Sequence, residues 1–128
     1  MLRLLGALLR PRERGAAAED EALRHLQAAG LTLVARNVLA RGGELDLVMR
    51  DGPILVFVEV RYRHSDSHGD GIASVARKKQ TRIVRAARQF LADHPQERLR
   101  STRFDVVSLG SGGLRWERNA FVLDTPEW

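Results

Sequence analysis

The sequence predicts an α+β fold, layered as α/β, in which one central mixed sheet is flanked by helices. Apolar residues recur at helical spacing in two segments, Gly15 to Ala29 and Ile72 to Ala92. Three segments rich in β-branched and apolar residues lie between these helices and two more follow the second, giving the order α-β-β-β-α-β-β. The 128 residues suffice for one domain with a real core and not for two, and the content, 44% hydrophobic and 29% charged, is that of a globular protein. The chain divides into a basic N-terminal arm, residues 1–14, a single domain, residues 15–123, and an irregular tail, residues 124–128.

In the arm, the apolar run Leu4 to Leu9 is too short for a secretory core or a membrane span, and Arg10, Arg12 and Arg14 follow at once. A docking role at a membrane surface or partner stays open for it; a spanning one does not. The first helix ends at Gly30. At about 100° per residue, Ala22, Leu23 and Leu26 share a stripe with Glu19 in its middle, while Asp20 and Glu21 face away. Glu19 therefore points inward for a functional reason or only complements the helix dipole. Leu31 to Val38 reads as the first strand, Asn37 as a polar turn residue, and Arg41-Gly42-Gly43 as a tight turn or bulge.

Glu44 to Met49 and Ile54 to Arg61 form a hairpin about Asp51-Gly52-Pro53. With Asp51 and Gly52 as a two-residue loop, Asp46 stands opposite Phe57 and Glu44 opposite Glu59. Glu44, Asp46, Glu59 and Arg61 then share one face, with Asp46 and Glu59 diagonal neighbours roughly 7–8 Å apart. An unpaired carboxylate in so apolar a strand costs several kcal/mol. Glu59 either pairs with Arg61 or Arg63, or shares a divalent ion with its acidic neighbours, and Mg²⁺ or Mn²⁺ suits an all-oxygen site.

His64 to Gly71 reads as a flexible loop beside that face, its two histidines solvated or, in the rarer case, metal-binding. The second helix is two-faced. Ala76, Ile83, Ala87, Phe90 and Leu91 form its packing stripe, and Arg77, Lys78, Arg82, Arg85 and Arg88 crowd the opposite arc without an acid among them. Such an arc favours a phosphate backbone across it. Lys79 lies at the border of the packing stripe, where it can reach the sheet. Arg103 to Leu109 is the fourth strand, in a parallel crossover from the third, and Leu114 to Leu123 a fifth, edge strand. A formal net charge of +5 points the same way, towards a polyanion such as nucleic acid. The absence of cysteine excludes disulfides and thiolate-ligated zinc, so any metal is held by oxygen or histidine, and it fits a reducing cytoplasm.

Gly42-Gly43-Glu44-Leu45-Asp46-Leu47, then Val56 to Arg63, then Lys79, then Arg103-Phe104-Asp105-Val106-Val107, resemble the bacterial YraN-like family. That family is assigned to the PD-(D/E)XK nuclease superfamily and is similar in architecture to archaeal Holliday junction resolvases. The resemblance runs from about Gly15 to Leu123. It implies a restriction-endonuclease-like core, αβββαβ, in a bacterial cytoplasmic protein. It also implies Asp46 as the central metal ligand, Glu59 as the second, Glu19 as the acid that orients the attacking water, and Arg61 in the lysine position.

Arginine stays protonated and can only orient or neutralise phosphate. The proton-accepting task therefore passes to Glu19, to Lys79 or to the metal-activated water itself, or the activity is weak or absent. The function implied is a Mg²⁺- or Mn²⁺-dependent, structure-selective DNA endonuclease acting on branched or irregular substrates, with RNA as a further possibility and a homodimer wanted for symmetric cleavage. Its catalytic set is Glu19, Asp46, Glu59, Arg61 and Lys79, with Arg63, Arg77, Lys78, Arg82, Arg85 and Arg88 on nucleic acid. The rival is a binding module that keeps the nuclease scaffold without turnover.

Overall fold

The computed structural model describes residues 11–40, 42–63 and 77–121, and the side chains from residue 15 onward within these. Helix α1 (Pro11–Ala28) leads into strands β1 (Thr32–Ala40), β2 (Gly43–Asp51) and β3 (Ile54–Tyr62); helix α2 (Arg77–Asp93) precedes β4 (Thr102–Gly110) and β5 (Gly113–Glu117). The strands make one sheet in sequence order. β3 and β4 run parallel and every other neighbouring pair is antiparallel, so the sheet is mixed, an α+β arrangement compatible with a restriction-endonuclease-like core.

Each face of the sheet has its own core. On one, Ala18, Ala22 and Leu26 of α1 pack on Leu47, Met49, Val56, Val58, Val107 and Leu109. On the other, Ile83, Val84, Ala87 and Phe90 of α2 pack on Val48, Leu55, Phe57, Phe104 and Val106. The unbroken apolar run of β3 is thereby explained: Leu55 and Phe57 feed one core while Val56 and Val58 feed the other. Phe57 meets Phe90 edge-on at 6.0 Å and stacks on Phe104 at 5.5 Å. Each such fully buried side chain contributes about 1.5–3 kcal/mol.

Several boundaries differ from those expected. α1 begins at Pro11, four residues before Gly15, because proline at a first helical position sacrifices only an N–H that has no helical partner. β5 stops at Glu117. The chain then turns at Asn119, which has φ 53° and donates its N–H to Asp105 Oδ1 at 2.9 Å. Asp105 is fully buried and also accepts from Arg103 Nε, Arg103 Nη2 and Trp116 Nε1, so its charge is met on every side. Residues 1–10, the expected histidine loop 64–71, helix residues 72–76 and the tail lie outside the described residues. Among the described residues no helix is long and apolar enough to cross a membrane.

The hairpin register is corrected. Asp51 pairs with Ile54 and Leu47 with Val58, so partner numbers sum to 105 and the turn is Gly52-Pro53. A turn at Asp51-Gly52 would have forced Pro53, which has no N–H, into the ladder. Gly52 takes the positive φ of 58° that the tight turn requires. Within the regular ladder, from Leu47–Val58 to Asp51–Ile54, a shift of two partners changes no side chain's face, but it moves Asp46 from beside Phe57 towards the level of Glu59.

A second buried carboxylate, Glu97, ends the short 3₁₀ turn Pro95–Glu97 and binds the guanidinium groups of Arg50 and Arg100. These hydrogen bonds, Arg50 first, hold its pKa below the usual value. They tie the segment after α2 to β2.

Candidate metal centre

Two local irregularities build the centre. Leu45 packs on the α2 side and Leu47 on the α1 side, although residues two apart in a regular strand share a face, so β2 departs from strict alternation at Asp46. At the facing level of β1, Asn37 adopts φ 53°, a left-handed conformation that asparagine tolerates better than most residues. Together these turn the side chains of β1 and β2 towards the first helix as well as the second.

Glu19, Glu44 and Asp46 bring carboxylate oxygens within 4.8 Å of one another. With its amide nitrogen turned towards the acids, Asn37 donates to Glu19 Oε1 at 2.9 Å and to Glu44 Oε1 at 3.1 Å. Arg36 Nη2 lies 3.5 Å from Glu19 Oε1 and 3.0 Å from Asp20 Oδ1. Burial pushes the Glu19 carboxyl above its ordinary pKa, against the lowering pull of Arg36. Asp46 accepts the Val60 N–H at 2.8 Å, a bond in which the side chain takes the place of a strand partner.

Burial raises Asp46 most, and the neighbouring Glu59 carboxylate, with which it shares a hydrogen bond, raises it further, to about 9. Burial and the neighbouring carboxylate thus favour the protonated form of Asp46. Glu59, buried in the sheet, has its Oε2 2.7 Å from Lys79 Nζ, reaching across from the first turn of α2. Glu44, Asp46, Glu59, Lys79 and Arg82 line one cleft of about 270 Å³. Gly42 and Gly43 allow α2 this close. A Cβ on Gly43 would sit 3.2 Å from the Arg82 carbonyl oxygen, and one on Gly42 3.5 Å from Arg85 Cδ.

The donor set fits a hard divalent cation. It is all oxygen, supplied by carboxylates from α1 and β2 with a fourth, Glu59, alongside.

Of the residues singled out from sequence, Glu19, Asp46, Glu59 and Lys79 come together here, Lys79 reaching the sheet as its position on α2 suggested. Arg61 does not join them: it is half-buried on β3, level with Ser108 of β4, and forms no ion pair with these acids among the described residues. Arg77, Lys78, Arg82 and Arg85 are exposed on α2 and Arg88 is half-buried. Arg63 is corrected. Only 2% exposed, it packs against Gly110 and donates to the Gly113 carbonyl, so it fastens the β4–β5 turn and offers nothing to a nucleic acid.

Glu44 and Asn37 are the additions. Glu44 was marked by its place two residues before Asp46. Asn37 looked like a turn residue, and only the left-handed backbone inside a strand reveals that its amide bridges two acids.

The fold and the cluster together define a layered α+β domain whose acidic side chains, on the first helix and on interior strands, could hold a metal ion. Residues 18–109 match the profile described as "Uncharacterised protein family UPF0102", and the chain belongs to that family. It is 54% identical to a UPF0102 protein of Xanthomonas campestris pv. campestris (strain B100) over 114 residues, 88% of this chain and 93% of the relative. A UPF0102 protein of Xylella fastidiosa (strain M12) is 52% identical over 120 residues, 91% and 98% of the two chains. One of Saccharophagus degradans is 47% identical over 112 residues, 88% and 95%.

Proposed function

We propose that this protein is a Mg²⁺- or Mn²⁺-dependent endonuclease that hydrolyses phosphodiesters in branched or otherwise irregular DNA. The observation that carries the reading is that Glu44, Asp46 and Glu59 line one cleft with Lys79 and Arg82 of α2, while Glu19 of α1 brings a carboxylate oxygen within 4.8 Å of those of Glu44 and Asp46. Acids alone would repel a phosphate. Acids that capture a divalent ion beside Lys79 and Arg82 would attract one.

Glu19, Glu44 and Asp46 would hold the ion, with Glu59 completing the acidic wall. A bound divalent cation supplies Lewis acidity to the phosphate and to the attacking water. Lys79, held 2.7 Å from Glu59, presents a fixed positive charge where the pentavalent phosphate gathers negative charge. It takes the place that a strand lysine would fill and that Arg61, permanently protonated and away from the acids, does not. Glu19, whose pKa burial raises, is the group suited to accept a proton from the attacking water. The exposed cations of α2 would grip the backbone without reading base sequence. Cutting both strands of a symmetric junction would take two copies of the chain.

Cleavage of labelled four-way junction, flap and plain duplex in Mg²⁺ and in Mn²⁺ tests the reading. Wild type is expected to cut the branched substrates in a metal-dependent way, and Asp46→Ala to lose at least 100-fold in rate, the scale on which single electrostatic groups act. Cleavage that survives Asp46→Ala unchanged would refute it.

One observation favours a second reading, a binding module without turnover. Lys79 already neutralises Glu59 in an ion pair, so part of the acidic wall is balanced without a cation. That reading predicts salt-dependent DNA binding with no product in either metal.

A further inference from the structure

The cationic side of α2 does not end at the acidic cleft. Arg82, Arg85 and Arg88 recur every three residues and so form one ridge along the helix. Arg82 lines the acidic cleft. Arg85 and Arg88 line the next depression, about 250 Å³, with Gln89 and Ala92. Arg88 also lines a third and larger hollow, about 380 Å³, whose other walls are Leu91, Ala92, Arg98, Arg100 and Thr102. The second and third hollows share Arg88, Arg82 of the same ridge lines the first, and the last gathers three guanidinium groups at the end of the helix.

A helix C-terminus carries partial negative charge and by itself would repel an anion. Here the surrounding side chains reverse that sign. Glu97 and Asp93 each adjoin a lining residue in the chain; Glu97 is 2% exposed and ion-paired with both Arg50 and Arg100. Asp93 is exposed on the last turn and accepts a hydrogen bond from Gln89 Nε2 at 3.0 Å. Arg98 is exposed at the rim.

We infer that this hollow is a second phosphate site, which takes a backbone phosphate of a duplex arm extending from the cleavage point. The inference rests on the nucleic-acid reading above and adds the geometry of the substrate. From Lys79 to Ala92 is 13 residues, about 20 Å along the helix axis at 1.5 Å per residue. With a rise of 3.4 Å per base pair along one strand, that distance corresponds to about six base pairs. The preferred substrate therefore carries at least one continuous duplex arm of six base pairs or more beside the branch, and shorter arms forfeit the far contact.

Fluorescence anisotropy with a cleavage-disabled Asp46→Ala background and junctions whose arms measure four, six, eight and twelve base pairs tests this. Arg98→Glu should weaken binding about tenfold on arms of eight and twelve pairs and leave four-pair arms within twofold. It should also reduce the slope of log K against log salt by about one on the long arms, as the loss of one phosphate contact requires. Arg98→Lys should restore both. An Arg98→Glu effect equal on all arm lengths, or none on any, would overturn the second site while leaving the salt-dependent binding of the Asp46→Ala background, and the nucleic-acid reading, intact. No binding by that background at any arm length would overturn both.

Discussion

Asp46 sits where backbone, charge and burial conflict, and its protonation state follows from that conflict. Its folded pKa, raised to about 9, stands far above its ordinary 3.8. A carboxyl with a raised folded pKa contributes most below the ordinary value, and that contribution is lost as pH rises towards the folded one. With chelator present, stability should fall between about pH 4 and pH 9 from this group. Asp46→Asn removes the titration and should raise the neutral-pH stability, seen as a higher melting temperature than wild type at pH 7 and a smaller difference at pH 4. Thermal melts of both proteins across that pH range check the prediction, and parallel curves would contradict it.

That Asp46 and Glu59 would be neighbours across the hairpin was legible from residue spacing, although the expected register was two partners off. Helical projection showed that Glu19 points inward without showing what it meets. Asn37 was not legible, since a polar residue gives no sign that its backbone will turn left-handed inside a strand. The burial of Arg63 was hidden too: an arginine beside basic neighbours looks exposed until a glycine, Gly110, is found to make room for its stem.

Among the elements, α2 and the β1–β2 turn are fitted to one another through two residues without side chains. Gly42 has φ 89°, and any L side chain there pays the left-handed penalty, about 1–2 kcal/mol. Gly42→Ala should therefore lower stability by about that amount. It should also weaken Mn²⁺ binding only modestly, because the carboxylates come from α1, β2 and β3 and not from the turn. Chemical denaturation with and without Mn²⁺ separates the two effects. Element order, the parallel β3–β4 pairing and the packing stripe of α2 followed from periodicity and turn residues. The hairpin register required weighing Pro53 as a residue barred from the ladder, and treating Asp51 as part of the loop misplaced the pairing by two.

At the scale of the whole molecule, a net charge of +5 is divided between a cationic helix and a recessed acidic centre. That separation gives the protein an attractive field for a polyanion with a local deficit of positive charge within it. The compositional excess was plain in the sequence; the part of it on the exposed side of α2 was readable from the helical arc. Its continuation through Arg98 and Arg100 was not, because those residues lie in a connecting segment with no periodicity to project.

The claim on which the rest depends is that the carboxylates form a cation site. Calorimetric titration of the full chain with Mn²⁺ at pH 7 measures it directly. The account predicts saturable binding accompanied by proton release from Asp46, shown by heats that vary with buffer ionisation enthalpy, and no such binding for Asp46→Asn. Equal binding by both proteins, or none by the wild type, would contradict it.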